Sequence, residues 1–224
     1  MLFIVLFFGL IYGPHLWVKF VLRKHGRELE HMPGTGGELA IHLLNQQQLD
    51  SVKVEQSSPD DNHYSPIENA VRLSPEIYNG KSLTAVAVAA HEVGHAIQFN
   101  REEPVSLLRS RYLGKAVTLQ RLGIFIVMAM PVATAMLHVP TLIVVEILAG
   151  FALMLLSVFM HAAVLPEEFD ASFNKALPIL KQGDYVPDVY MPAIRQVLKA
   201  CALTYVAAAL ADVLRLWRWA ALMR

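Results

Sequence analysis

Leu83 to Phe99 reads LTAVAVAAHEVGHAIQF, and the rest of the chain can be read as what holds and completes this stretch. His91-Glu92-Val93-Gly94-His95 is an H-E-x-x-H pattern inside a run of helix formers. Four residues of α-helix turn through about 400°, so His91 and His95 fall one turn apart on nearly the same face. Two imidazoles so placed can hold one Zn²⁺, with Glu92 beside them to handle protons. The uncharged run ahead of the motif, Ser82 to Ala90, is far too short to span a bilayer, and Arg101, Glu102 and Glu103 follow the helix at once. The helix is therefore expected on the aqueous side or at the membrane interface.

Of the 224 residues, 55% are hydrophobic, and the mean hydropathy is +0.42. That balance points to a membrane protein. Nineteen basic and 19 acidic residues cancel, and nothing suggests a nucleic-acid partner. The single cysteine, Cys201, excludes a disulfide framework and a metal site built on several thiolates. It reads as a small buried hydrophobe, and nitrogen and oxygen ligands remain.

Residues 1–22 are nearly continuously apolar and long enough to span. They lack the leading basic residue and small-x-small site of a cleaved signal and end in Lys19, Arg23, Lys24 and Arg27, so they read as an uncleaved anchor. Residues 23–121 form a catalytic part. A short amphipathic helix from Glu38 to Gln48, opened by Thr35, precedes weak strands at Val52–Val54 and Ala70–Leu73, which are expected to pair. Ser74 and Pro75 read as a helix start. After the basic cluster of Arg109, Arg111, Lys115 and Arg121, residues 122–165 are too long for one span. His138-Val139-Pro140-Thr141 breaks them into a transmembrane hairpin. The turn carries no Lys or Arg while both flanks are charged, which places the flanks in the cytoplasm. Residues 166–196 return as a helix opened by Pro166 and its acidic neighbours, followed by a loop. The tail, 197–224, is apolar but interrupted by Asp212, Arg215 and Arg218, and either spans or docks on the membrane. The expected fold is a mainly α membrane protein: zincin-like catalytic helices, a small β-hairpin or sheet, and three or four transmembrane helices.

A catalytic zinc site usually has three protein ligands and an open position. No histidine follows His95 at a spacing that would complete the set, so the third ligand must come from elsewhere. The candidates are Glu167, Glu168 and Asp170, on a helix expected on the same side of the membrane.

Several segments together resemble the bacterial family of membrane-anchored neutral zinc metallopeptidases. They are Asn62-His63-Tyr64-Ser65-Pro66, Val71-Arg72-Leu73-Ser74-Pro75, Ala89 to Gln98, Leu165-Pro166-Glu167-Glu168-Phe169-Asp170-Ala171-Ser172, and Ala202-Leu203-Thr204-Tyr205-Val206-Ala207. That family is similar, more distantly, to integral-membrane gluzincins that cut prenylated or misfolded membrane proteins and take their third ligand from an E-x-x-A-D pattern. Glu168-Phe169-Asp170-Ala171 matches its first four positions, with Ser172 in place of the Asp. The resemblance implies His91, His95 and Glu168 as the ligands of one zinc ion, and leaves Asp170 as the candidate to support a ligand from behind.

On this reading Glu92 is the general base of peptide-bond hydrolysis. Candidates to stabilise the transition state are His63, Tyr64 and Tyr205. A strand edge near Val71–Leu73 is a candidate to pair with an extended substrate. The partners implied are a protein or peptide substrate, membrane proteins included, and the lipid bilayer, in a bacterial inner or plasma membrane. A zinc-binding scaffold or chaperone without turnover, and a zinc hydrolase of a non-peptide bond, are the alternatives.

Overall fold

The computed structural model describes residues 2–137 and 140–222. Residues 138 and 139, in the expected hairpin turn, lie outside that description. Helix α1 runs Leu2–Lys24 and α2 runs Gly36–Gln46. Strands β1 (Lys53–Gln56), β2 (His63–Ser65) and β3 (Ala70–Leu73) follow, then α3 (Pro75–Tyr78) and α4 (Leu83–Asn100). A 3₁₀ turn leads into α5 (Leu107–Leu137) and α6 (Pro140–Ala162). Helix α7 (Leu165–Phe169) passes into a π-helical turn, Asp170–Ala176, and on into α8 (Leu177–Gln182). A last 3₁₀ turn precedes α9 (Met191–Leu222).

The chain forms two compact units. One comprises Leu16–Leu107 and Pro166–Thr204; the other comprises Met1–His15, Leu108–Leu165 and Tyr205–Arg224. The first is built around α4, of which every residue from Leu83 to Gln98 is buried. Ser82 caps it, its hydroxyl accepting from the Ala85 N–H at 3.1 Å. The Thr84 N–H donates to the His25 carbonyl (3.1 Å) and its hydroxyl to the Leu22 carbonyl (2.8 Å). The open carbonyls at the end of α1 and the open donors at the start of α4 thus satisfy each other. Helix α2 starts two residues earlier than expected, on a capping box: the Glu38 N–H donates to the Thr35 hydroxyl and the Thr35 N–H to the Glu38 carboxylate.

The sheet contains the expected pair and one strand more. The expected strands do pair, but in parallel, with Val54 opposite Val71. An unexpected strand, β2, adds antiparallel to β3, with Tyr64 opposite Val71. The order is β1-β3-β2. Val71–Leu73 is therefore central and paired on both sides, so it offers no free edge to a substrate. Ser74 stands at the start of α3 without a side-chain cap; its N–H instead donates to Asn62 Oδ1 at 2.8 Å.

In the second unit, α5 and α6 pack through Ser157, whose hydroxyl donates to the Ala116 carbonyl at 2.9 Å. Phe125, Met128, Val145, Leu148, Leu155 and Phe159 each leave more than half their surface exposed. Among the described residues, the helical stretches Leu148–Gln182 and Asp188–Leu210 are long and apolar enough to cross a membrane.

Candidate metal centre

Helix α4 carries His91 and His95 as the i, i+4 pattern requires, their ring centroids 4.7 Å apart. The start of α7 faces them. Glu168 Oε2 lies 3.3 Å from His91 Nε2 and 3.3 Å from His95 Nε2. The three residues form the group of potential metal ligands among the described residues, with ligand atoms all within 4.8 Å of one another. All three are buried: 4% exposed for His91, none for His95 and 1% for Glu168.

The surroundings of the two imidazoles decide which nitrogens are free. Ser172 Oγ donates to the Leu198 carbonyl on α9 at 3.1 Å, so its remaining capacity toward His91 Nδ1, 3.0 Å away, is as an acceptor. Behind His95, the Gln98 Nε2 group donates to the Glu167 carbonyl (3.0 Å) and to Asp170 Oδ2 (2.8 Å). Both partners are acceptors only, so the amide turns its Oε1 to His95 Nδ1, at 3.0 Å. Each Nδ1 thus carries its hydrogen, and each Nε2 presents a lone pair toward Glu168.

This donor set fits zinc. Tetrahedral coordination with bonds of about 2.0–2.1 Å needs ligand atoms about 3.3–3.4 Å apart. The two nitrogen–oxygen separations have that value. Metal-binding histidines also characteristically donate their other ring N–H to a fixed acceptor, as both do here.

Two groups found by packing were not given roles in the sequence. Gln98 is three residues beyond His95, and Ser172 is four beyond Glu168; each returns to the face its ligand occupies. Asp170 does not touch a ligand. It accepts from Gln98 and from Asn174 Nδ2 (2.7 Å), with Lys175 Nζ 3.6 Å away. It supports His95 at one remove, and Ser172 itself occupies the place behind His91. Glu167, fully buried, has its Oε1 3.9 Å from His95 Nδ1, on the side away from the ligand atoms.

Glu92 is 5% exposed, and its carboxylate has no hydrogen-bond partner among the described residues. The fields of Glu92 and Glu168 both reach the buried thiol of Cys201 on α9.

The other named residues have partners of their own. His63 Nδ1 is 2.9 Å from Asp61 Oδ1. The Tyr64 hydroxyl donates to Asn69 Oδ1 (2.8 Å) and accepts from Asn100 Nδ2 (3.1 Å). Burial pushes that hydroxyl above its ordinary range, against the Asn100 hydrogen bond, so it stays protonated with its proton committed to Asn69. Tyr205 belongs to the second unit, its ring under the Arg109 guanidinium at 5.3 Å.

A family model described as "Putative neutral zinc metallopeptidase" matches residues 1–224. The "Putative membrane protease YugP" of Bacillus subtilis (strain 168) is 32% identical over 228 residues, covering 98% of this chain and 95% of its own length. No solved structure is a significant match. A match along the entire chain, and a relative aligned over nearly all of both sequences, place this protein in the neutral zinc metallopeptidase family.

Proposed function

We propose that the protein is a membrane-bound endopeptidase that uses one zinc ion, held by His91, His95 and Glu168. Bound there, zinc supplies a Lewis acid that brings the pKa of water near 7 and polarises a carbonyl. Ser172 and Gln98 fix both rings with Nε2 toward the ligand position, so the site needs little rearrangement to bind. Glu92 accepts the proton of the attacking water and delivers it to the leaving amine. Its carboxylate has no hydrogen-bond partner among the described residues, which leaves it open to receive the water. The observation that carries this reading is the convergence of two Nε2 lone pairs and one carboxylate oxygen on a buried point.

Membrane attachment is supported by the exposed apolar side chains of α5 and α6, which in water would form an unusually large apolar surface. It is supported too by the name of the Bacillus relative. Basic residues gather after α1 and in the first turns of α5, which favours a cytoplasmic catalytic unit.

The test is metal analysis with proteolysis by the purified protein in detergent. Wild type should carry one zinc per chain and cut peptides. Glu92→Gln should keep the zinc and lose at least a hundredfold in kcat, in line with the loss of a general base. Equal proteolysis by both would remove Glu92 from the mechanism. Zinc binding without cleavage of any peptide would favour a scaffold or a different hydrolase.

A further inference from the structure

A cavity of about 530 Å³ lies where the end of α1 meets the starts of α3 and α4, and most of its lining is polar or charged. Lys19 and Arg23 come from α1, Asp60 from the loop before β2, and Glu76 from the first turn of α3. None of the four belongs to an ion pair among the described residues. Two cations and two anions therefore face one space without neutralising each other, and a ligand that is itself zwitterionic would pair with both.

The lining supplies hydrogen-bond donors as well. Ser74 and Ser82 line the cavity and are 1% and 4% exposed. The Ser74 hydroxyl has no hydrogen-bond partner among the described residues. The Ser82 hydroxyl accepts from the Ala85 N–H and donates to none of them. Two buried hydroxyl protons are thus left for an acceptor. Ser82 also marks the N-terminus of α4, where the helix dipole favours a negative group such as phosphate.

The face of α1 that carries both cations continues as an apolar surface. At 100° per residue, Leu16, Lys19, Phe20 and Arg23 fall within an arc of about 100°. Leu16 and Phe20 are 60% and 62% exposed. Each lies three residues toward the N-terminus from a basic neighbour. A ligand with its charged end in the cavity and an apolar tail along α1 would cover them. With residues 1–22 as a membrane anchor, Lys19 and Arg23 lie at the headgroup level of the bilayer.

We propose that this cavity binds the headgroup of a membrane phospholipid that carries both a phosphate and a primary ammonium, as phosphatidylethanolamine does. The phosphate meets Lys19, Arg23 and the hydroxyls of Ser74 and Ser82. The ammonium meets Asp60 and Glu76, and an acyl chain lies along Leu16 and Phe20. A primary ammonium donates hydrogen bonds to carboxylates, which a trimethylammonium cannot. The site rests on the membrane reading and is independent of the zinc chemistry.

The test uses full-length protein, stripped of lipid in detergent and titrated with phosphatidylethanolamine, phosphatidylcholine or phosphatidylglycerol while native mass spectrometry counts the bound lipid. Wild type should bind one phosphatidylethanolamine at least tenfold more tightly than either other lipid. Lys19→Met with Arg23→Met should weaken it at least tenfold. Asp60→Asn with Glu76→Gln should remove the preference over phosphatidylglycerol, the anionic lipid, at unchanged helix content by circular dichroism. Phosphoethanolamine without acyl chains should bind at least a hundredfold more weakly than the lipid; equal affinity would overturn the lipid as the ligand. Equal affinity for all three lipids, or a preference that both double variants keep, would overturn the site. Flotation with vesicles containing phosphatidylethanolamine tests the membrane reading by itself. Protein that stays in the aqueous fraction would overturn both, whereas protein that floats without headgroup preference would overturn the site alone.

Discussion

Ser172 does two things that a carboxylate in its place cannot do together: it accepts from His91 Nδ1 and donates to the Leu198 carbonyl. Gln98 likewise joins His95, which needs an acceptor, to Asp170 and the Glu167 carbonyl, which need donors. Ser172→Ala and Gln98→Leu should each weaken zinc binding about 10- to 100-fold, as losses behind a metal-bound histidine do. Competition with a chromogenic chelator would read this, with thermal unfolding of the zinc-free protein reporting any separate damage to the fold. Ser172→Asp should also bind more weakly than wild type, because an ionised carboxylate at that position would face the buried Leu198 carbonyl with acceptors and no proton. Tighter binding by that variant would mean that the Leu198 contact does not govern the site. The three potential ligands were legible in the sequence because histidines and acidic residues advertise their chemistry. Ser172 and Gln98 were not, although their spacings of four and three residues are plain. A hydroxyl or an amide in a helix is ordinary, and its meaning comes from a partner distant in the chain. The same limit explains Asp170, which has the charge expected of a supporting residue but reaches His95 only through Gln98.

Helix α4 owes its position to small residues. Ala85, Ala87, Ala89, Ala90 and Ala96 are buried with no exposed surface, and Gly94 meets the π-helical turn directly. A Cβ on Gly94 would stand 2.5 Å from the Ala171 carbonyl oxygen, closer than real contacts allow. Ala171 sits between Glu168 and Ser172, so separating the two helices would move both groups away from His91 and His95. Gly94→Ala should therefore cost about 1–3 kcal/mol, the usual range for overpacking, and lower zinc affinity as well. Denaturant unfolding and metal titration of the same preparations would measure the two effects; a stable variant with wild-type affinity would show that the turn can yield without disturbing the ligands. The helix itself was readable from its formers and its Ser82 cap. The π-helical turn was not, since Asp170 to Ala176 contains neither Gly nor Pro and its wider winding is a property of packing. Strand β3 was readable by its apolar residues, whereas the polar His63-Tyr64-Ser65 becomes β2 only through its pairing with β3.

The chain interleaves its two units: the one that holds the site is built from two segments, and residues 108–165 intervene between them. A break of residues 122–165 into two helices, α5 and α6, was legible in an apolar region too long for one span, but contacts, which composition does not report, assign residues 16–22 to the unit that carries the site. Spanning helices within the second unit would tie the distance between α4 and Glu168 along the chain to a passage through lipid. On the proposed topology the charge pattern predicts a cytoplasmic site. Lys19, Arg23, Lys24 and Arg27 lie at or just beyond the end of α1, Arg109, Arg111 and Lys115 open α5, and the turn at 138–141 has no basic residue. The loop before β2 offers a reporter, because Ser58 is exposed. In a Cys201→Ala background, Ser58→Cys should react with a membrane-impermeant maleimide only after the cells are broken. His138→Cys, between α5 and α6 in the sequence, should react in intact cells whose inner membrane the reagent can reach. The opposite pattern would place the metal centre outside the cytoplasm, while labelling of both cysteines in intact cells would mean that α5 and α6 do not carry the chain across and back.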